Sequence, residues 1–308
     1  MNKIDRVAVC SRSFSKNNVL RSELLEKYQN VTFNDFGKQF EGEELVAFLR
    51  GHNKAIIGLE KITDQLLASL PDLEVISKYG VGLDGIDIVA IENRGRRLGW
   101  VGGVNKRSVS EMVFALAINL LRHLPLASKE VEGGIWRQHI GGLLSGRKVG
   151  IVGCGHIGKD LVRLLEPWGC RILANDVVSF SDFYNEFGVI ESSLDYLLME
   201  SDIVTLHVPL NEKTRNIIGR SELSKMKSTA ILINTARGGL VDEVALKNSL
   251  VEGDIAAAAF DVFEIEPPIG SDLIGLSNFY ATPHLGGSAE EAVLAMGRAA
   301  IASLELLE

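Results

Sequence analysis

Three short segments in the last third of the chain each carry one chemically distinct side chain. They read Asn234-Thr235-Ala236-Arg237-Gly238-Gly239-Leu240-Val241-Asp242-Glu243, then Asp261-Val262-Phe263-Glu264-Ile265-Glu266-Pro267-Pro268, then Thr282-Pro283-His284-Leu285-Gly286-Gly287. Arg237 is a fixed cation whose planar fork can hold both oxygens of a carboxylate. His284 is the side chain whose ordinary titration range suits it to trade a proton near neutral pH. Glu266 is a carboxylate, and a carboxylate beside an imidazole favours the imidazolium form. Together the three residue types can hold an anionic substrate and move a proton. Each segment begins where a strand runs out into a loop, and loops on a rigid sheet are where chemistry concentrates.

A second motif lies upstream. Gly153-Cys154-Gly155-His156-Ile157-Gly158 follows an apolar strand, Lys148–Val152, and opens a helix. In that context the first glycine permits a tight turn, the second lets a pyrophosphate approach the backbone, and the third packs helix on strand. The start of the helix offers amides and a positive dipole end to phosphates. Asp176, at the end of the next strand, is placed to accept hydrogen bonds from ribose hydroxyls. The run after it, Val177-Val178-Ser179, has no cation to neutralise a 2′-phosphate, so NAD is favoured over NADP. With a nicotinamide nucleotide beside them, Arg237, Glu266 and His284 become the acid–base half of a hydride transfer. The cofactor carries the hydride, and the protein orients and polarises.

The elements that must position these residues alternate along the chain. Strands are expected at Val7–Cys10, Ala55–Ile57, Leu73–Ser77, Lys148–Val152, Arg171–Asn175, Ile203–His207, Ala230–Asn234 and Ala257–Phe260. Most are apolar on both faces, as buried parallel strands are. Helical segments intervene, among them Asn18–Gln29, Glu43–Arg50, Ile157–Trp168, Leu194–Met199 and Glu243–Glu252. The alternation predicts an α/β fold of βαβ units with doubly wound parallel sheets. Ser108-Val109-Ser110-Glu111 reads as a capping box at the start of a long helix. The loop just before it, Gly102-Gly103-Val104-Asn105, marks a domain boundary near residue 103. A second crossing is expected near His284, before a terminal helix Ser288–Leu307. The predicted domains are therefore 1–103 plus 285–308, and 104–284.

Composition sets bounds on function. The 308 residues suffice for two domains, and 46% hydrophobic with 23% charged residues is the balance of a globular protein. The formal net charge of −8 argues against a nucleic-acid partner. No apolar run is long enough to span a bilayer, and the start of the chain has no signal-peptide pattern, so no membrane partner is expected. Cys10, Cys154 and Cys170 form an odd set without CxxC spacing and read as reduced thiols of a cytoplasmic protein. No cluster of His, Cys and acidic residues has metal-ligand spacing. His52, His123 and His139 read as surface or packing residues, His207 as backbone-contacting and Trp136 as a packing residue.

The glycine motif and the three late segments, in this order, resemble the D-isomer-specific 2-hydroxyacid dehydrogenases, the family of phosphoglycerate dehydrogenase and glyoxylate/hydroxypyruvate reductase. The likeness is strongest from Ser108 to Ala292. It implies a Rossmann NAD-binding domain inserted into a flavodoxin-like substrate domain. It implies that Arg237 binds and polarises the substrate, that His284 is the acid/base and that Glu266 is its partner. The cofactor would be lined by Gly153, Gly155, His156, Ile157, Gly158, Asp176, His207, Val208, Pro209, Thr214, Thr235, Ala236, Arg237, Asp261, His284, Gly286 and Gly287, with Asp261 facing the nicotinamide end. The loop Tyr79-Gly80-Val81-Gly82-Leu83-Asp84 matches the family's substrate loop, where the amides of Val81 and Gly82 would meet the carboxylate. Asn105 and Ser108 match its hinge. In similar proteins a helical arm, Leu126 to Gln138 here, reaches onto a second subunit, so a homodimer is expected.

The implied function is hydride transfer between NAD(H) and a small D-2-hydroxy acid or 2-keto acid. Phosphoglycerate is one alternative substrate. Against it, the segment Ala55-Ile56-Ile57-Gly58-Leu59 lacks the arginine that several similar enzymes carry for the phosphate. Arg12, Lys78 or Lys106 could supply a cation instead. A formate dehydrogenase would replace the carboxylate partner with glutamine, whereas a phosphite dehydrogenase is not separated by motif. An NAD-sensing protein without turnover is the rival from another class; such proteins tend to carry disordered extensions.

Overall fold

The structure, a computed structural model, describes residues 5–305. What the sequence suggested for residues 1–4 and for the end of the terminal helix lies outside the described residues. The chain divides into two compact units. One runs up to Asn105 and resumes at Ala289, and the other is Lys106–Ser288.

The first unit holds strands β1 (Arg6–Val9), β2 (Asn30–Phe33), β3 (Lys54–Ile57), β4 (Val75–Lys78) and β5 (Arg97–Gly99). They form a parallel sheet in the order β2-β1-β3-β4-β5. Successive side chains of a strand point to opposite faces, and both faces here are covered. Ala8 and Ala55 belong to one apolar cluster with Leu45, Leu49 and Leu67. Val7, Val9 and Ile56 belong to another with Leu20, Leu24, Ile301 and Leu304. The last two come from the end of the chain, where the helix Glu290–Ala302 packs. Its Gly297 lies so close to Leu20 that an added Cβ would stand 2.3 Å from that side chain.

The second unit holds β6 (Lys148–Val152), β7 (Arg171–Asn175), β8 (Ile190–Glu191), β9 (Ile203–Leu206), β10 (Ile231–Asn234), β11 (Ala257–Phe260) and β12 (Phe279–Ala281). All are parallel, in the order β12-β11-β10-β9-β6-β7-β8. Ile231 and Ile233 face one cluster and Leu232 the opposite one, so the strand is apolar on both sides. This is a doubly wound α/β arrangement. The sheet grows one way from β6 through β7 and β8, and the other way from β9, so the direction reverses between β6 and β9. Ligands of open α/β sheets lodge at the carboxyl ends of the strands beside such a reversal.

Local details differ from expectation at three places. The long helix begins at Lys106, so Ser108 lies inside its first turn and forms no capping box. Its hydroxyl instead donates to the carbonyl of Gly286 at 2.6 Å, a tertiary acceptor that a local pattern does not reveal. The arm is a helix over Leu124–Glu132 only, closed by Gly133 and Gly134, with Gly134 in the left-handed region. Trp136, beyond it, is 86% exposed, so it is not the packing residue that its place suggested. The terminal helix occupies Glu290–Ala302, shorter than expected at both ends. Among the described residues no single helix is long and apolar enough to cross a membrane.

Candidate functional site

The second unit places its chemically distinctive residues at the carboxyl ends of its strands. After β6 the chain turns at Gly153, whose φ of +95° lies in the region that favours glycine. A Cβ there would also stand 2.7 Å from the backbone of His207, so the segments after β6 and β9 touch directly. Gly158 packs against the same turn, with the Gly153 carbonyl 2.5 Å from where its Cβ would be. Gly155 differs: nothing lies within 4 Å of its absent Cβ. It precedes the helix His156–Leu165 and, having no side chain, gives the first amides of that helix no side-chain cap. Asp176 accepts the Cys154 amide at 2.7 Å on one oxygen and the Val178 amide at 3.0 Å on the other. Each oxygen keeps acceptor capacity for a hydroxyl.

The three late segments build the other half. Asn234 at the end of β10 folds its loop back: its side chain accepts from Ala236 N at 3.1 Å and donates to Arg237 O at 2.8 Å. Arg237 Nη1 donates to Ala236 O at 2.7 Å. Glu266 accepts the Phe263 amide at 3.1 Å on Oε1, and its Oε2 lies 2.8 Å from His284 Nδ1. Both members of the pair are partly open to solvent, 53% for the imidazole and 38% for the carboxylate. His284 adopts φ +55°, an uncommon conformation for a non-glycine residue. Its turn is held by Asp261, which is 1% exposed. That carboxylate accepts from Thr282 Oγ1 at 2.6 Å, Leu285 N at 2.7 Å and Gly286 N at 2.7 Å. Asp261 thus serves its own chain first. With Nδ1 bonded to Glu266, His284 Nε2 is the nitrogen left to exchange a proton with a bound molecule.

The sequence profile described as "D-isomer specific 2-hydroxyacid dehydrogenase, NAD binding domain" matches residues 114–286. The chain is 37% identical over 242 residues to the hydroxypyruvate reductase of Thermotoga maritima, covering 77% of this chain and 78% of that protein. It belongs to the D-isomer specific 2-hydroxyacid dehydrogenases. Another member, the D-3-phosphoglycerate dehydrogenase of Methanocaldococcus jannaschii, is 39% identical over 240 residues, 77% of this chain but 46% of that protein. The chain therefore spans about half the length of that relative. The solved D-lactate dehydrogenase of Aquifex aeolicus, complexed with NAD and lactic acid, superposes with a TM-score of 0.84 at 25% identity, over 97% of this chain and 93% of that one.

The matched family domain is an NAD-binding one, so the cofactor is NAD, and the residues present fit it. Gly155 leaves its face of the turn open, the helix start has no side-chain cap from its N-cap residue, and Thr235 Oγ1 is buried with no hydrogen-bond partner among the described residues. His207 pairs Nε2 with Thr205 Oγ1 at 3.0 Å while its Nδ1 is buried without a partner there. Its imidazole therefore bonds a side chain, where the sequence reading has His207 contacting backbone. Burial pushes its pKa down to about 3. Thr214 spends its hydroxyl closing the loop after β9, donating to Pro209 O at 2.6 Å and accepting from Asn211 N at 2.8 Å. The family's substrate-loop positions fall in the first unit. Val81 O accepts from Trp100 Nε1 at 3.1 Å, and the Asn105 side chain is buried with its oxygen unpartnered among the described residues.

Several contacts were not legible in the sequence. Lys159 holds its ammonium 3.4 Å from the centre of the Phe180 ring, a cation near the Asp176 loop that the run after Asp176 does not contain. His139 pairs with Glu130 at 2.6 Å, and Arg137 shares that acid at 3.1 Å. Glu60 lies buried at the end of β3, accepting the Gly58 amide at 2.6 Å, and Lys78 donates to Gly58 O. Spacing along the chain signals none of these, because each joins different loops or elements, or turns back on its own loop. Among the described residues no group of His, Cys, Asp and Glu could hold a metal ion.

Proposed function

We propose that this chain is an NAD-dependent dehydrogenase that interconverts a small D-2-hydroxy acid and its 2-keto acid. When bound, NAD supplies or accepts the hydride at carbon 2. Arg237 holds the substrate carboxylate and stabilises charge developing on the carbonyl oxygen. His284, oriented through Nδ1 by Glu266, gives a proton to that oxygen from Nε2 in reduction and takes it back in oxidation. The amides of Val81 and Gly82 and the side chain of Asn105 are assigned to the substrate carboxylate. The observation that carries this reading is the 2.8 Å contact between His284 Nδ1 and Glu266 Oε2 in the unit that also presents Arg237. A glutamine there would suit hydride transfer without a proton; a carboxylate suits a carbonyl that must gain one.

Unphosphorylated acids come first among substrates. Glu60 puts a carboxylate at the carboxyl end of β3, and an anion there disfavours a phosphate tail. Phosphohydroxypyruvate is the alternative. The working assembly is taken to be a homodimer through the arm, on which Trp136 is 86% exposed and just beyond which Ile140 and Leu143 are 97 and 69% exposed. Light scattering at micromolar concentration tests that assembly.

The deciding experiment follows NADH absorbance with glyoxylate, hydroxypyruvate, pyruvate and phosphohydroxypyruvate. Turnover of at least one is expected, with kcat about 100-fold or more lower for His284→Ala and Glu266→Gln. NAD binding with no turnover of any acid would support a nucleotide sensor instead. Near-normal turnover by His284→Ala would remove the acid–base assignment.

A further inference from the structure

The segment that carries Glu266 is held from outside by a residue to which the proposed reaction gives no part. Glu243 opens the helix Glu243–Glu252, whose N-cap is already provided by Asp242: its Oδ1 accepts from Val244 N and Ala245 N, both at 3.0 Å. An acid in a first helical turn is ordinarily a complement to the helix dipole. Here the carboxylate does something more specific. Its Oε1 accepts the backbone amide of Glu264 at 2.8 Å. The neighbouring amide, Phe263 N, is the one bonded to Glu266 Oε1, whose other oxygen meets His284. Gly238, next to Arg237, lies against the same peptide: a Cβ there would stand 1.9 Å from Phe263 O and 2.4 Å from Glu264 N. Among the described residues the side chain of Glu264 is tied by a half-exposed ion pair with Arg215 at 3.0 Å, a type of contact that holds little.

We infer that Glu243 is a positioning residue for the acid–base pair. By fixing the Phe263–Glu264 peptide it fixes the amide on which Glu266 is anchored, and through Glu266 the orientation and tautomer of His284. The same peptide supports the Arg237 loop at Gly238, so one bond sets the anion-holding group and the proton-moving group relative to each other. The inference rests on the proposed roles of Glu266 and His284.

Three variants separate geometry from charge. Glu243→Gln keeps an oxygen at the right reach and loses the charge. Glu243→Asp keeps the charge and is one methylene short. Glu243→Ala loses both. Two readouts are used on the full-length protein: steady-state kinetics with NADH and the best acid of the panel, and ¹⁵N NMR of the histidine rings without substrate. The alanine and aspartate variants are expected to lose at least fivefold in kcat with NADH affinity within twofold of wild type, and glutamine to stay within twofold in both. In the spectra, the share of neutral His284 carrying its proton on Nδ1 falls in the alanine and aspartate variants and holds in glutamine. The NMR readout stands even if no acid is turned over, so it tests the link separately from the reaction. If Glu243→Ala fails to fold, the aspartate and glutamine variants carry the comparison. Aspartate behaving as wild type, or glutamine as impaired as aspartate, would overturn the inference.

Discussion

His207 shows how its surroundings can constrain a residue's protonation. The residue is half-buried, one ring nitrogen bonded to Thr205 and the other buried, and burial depresses its pKa to about 3. An unfolded chain binds a proton at this residue below about pH 6.5, whereas the folded chain refuses it until about pH 3. The depressed pKa therefore contributes stability that is complete above the unfolded value and is lost as pH falls. Between those limits the loss approaches about 1.4 kcal/mol per pH unit. Urea unfolding from pH 7 to pH 4 should show this slope, and His207→Gln should flatten it; an unchanged slope in the variant would assign the acid sensitivity elsewhere. At this scale the sequence was most informative where a residue type and its neighbours in the chain define the job, as for Gly155 or the segment around His284. It was silent on Glu243 and on the Lys159–Phe180 contact. A hydrogen bond or ring contact between residues about twenty positions apart leaves no periodic trace.

Elements of the sheets were legible in their interiors and obscure at their rims. The strands not anticipated from sequence, β2, β5, β8 and β12, are the four sheet edges. They are two to four residues long, and β2 alternates between exposed and half-buried residues. An edge strand lacks one neighbour, so it does not need the continuous apolar run that betrays a central parallel strand. The Ser108 misreading has a similar cause: a serine followed three residues later by glutamate is a local pattern, but the helix already starts at Lys106, so Ser108 lies within its first turn and its hydroxyl donates to Gly286 O. The strand–turn–helix around Gly153 offers a test of element against ligand. Gly155→Ala meets no atom within 4 Å, so its melting temperature should stay within about 2 °C of wild type, a ΔΔG below 1 kcal/mol. NAD affinity should nevertheless fall tenfold or more, because the methyl stands where the pyrophosphate must approach. Gly158→Ala presses on the Gly153 carbonyl and should lower the melting temperature as well. Calorimetry with NAD titration distinguishes the two, and equal losses of stability would contradict the open face assigned to Gly155.

At the scale of the whole molecule, each unit has its own sheet and its own pair of apolar clusters. The second unit is continuous in sequence, so residues 106–288 expressed alone should fold cooperatively and bind NAD without turning over any acid. The first unit is not continuous. Residues 1–105 alone would leave exposed the face that Ala300, Ile301 and Leu304 cover, each at most 3% exposed in the full chain. That fragment should aggregate or bind a hydrophobic dye, and joining residues 289–308 to it through a short linker should restore a cooperative transition. A well-folded 1–105 fragment would show that the returning helix is dispensable. The same arrangement bears on how a cell makes the protein. The usual expectation is that the part of a chain leaving the ribosome first completes first. Here the leading sheet must wait, one face uncovered, while all of residues 106–288 are translated, roughly 10 to 40 s at ordinary synthesis rates. During that interval the nascent chain offers chaperones an apolar surface that the folded unit hides, and the helix Glu290–Ala302 closes a unit begun at β1.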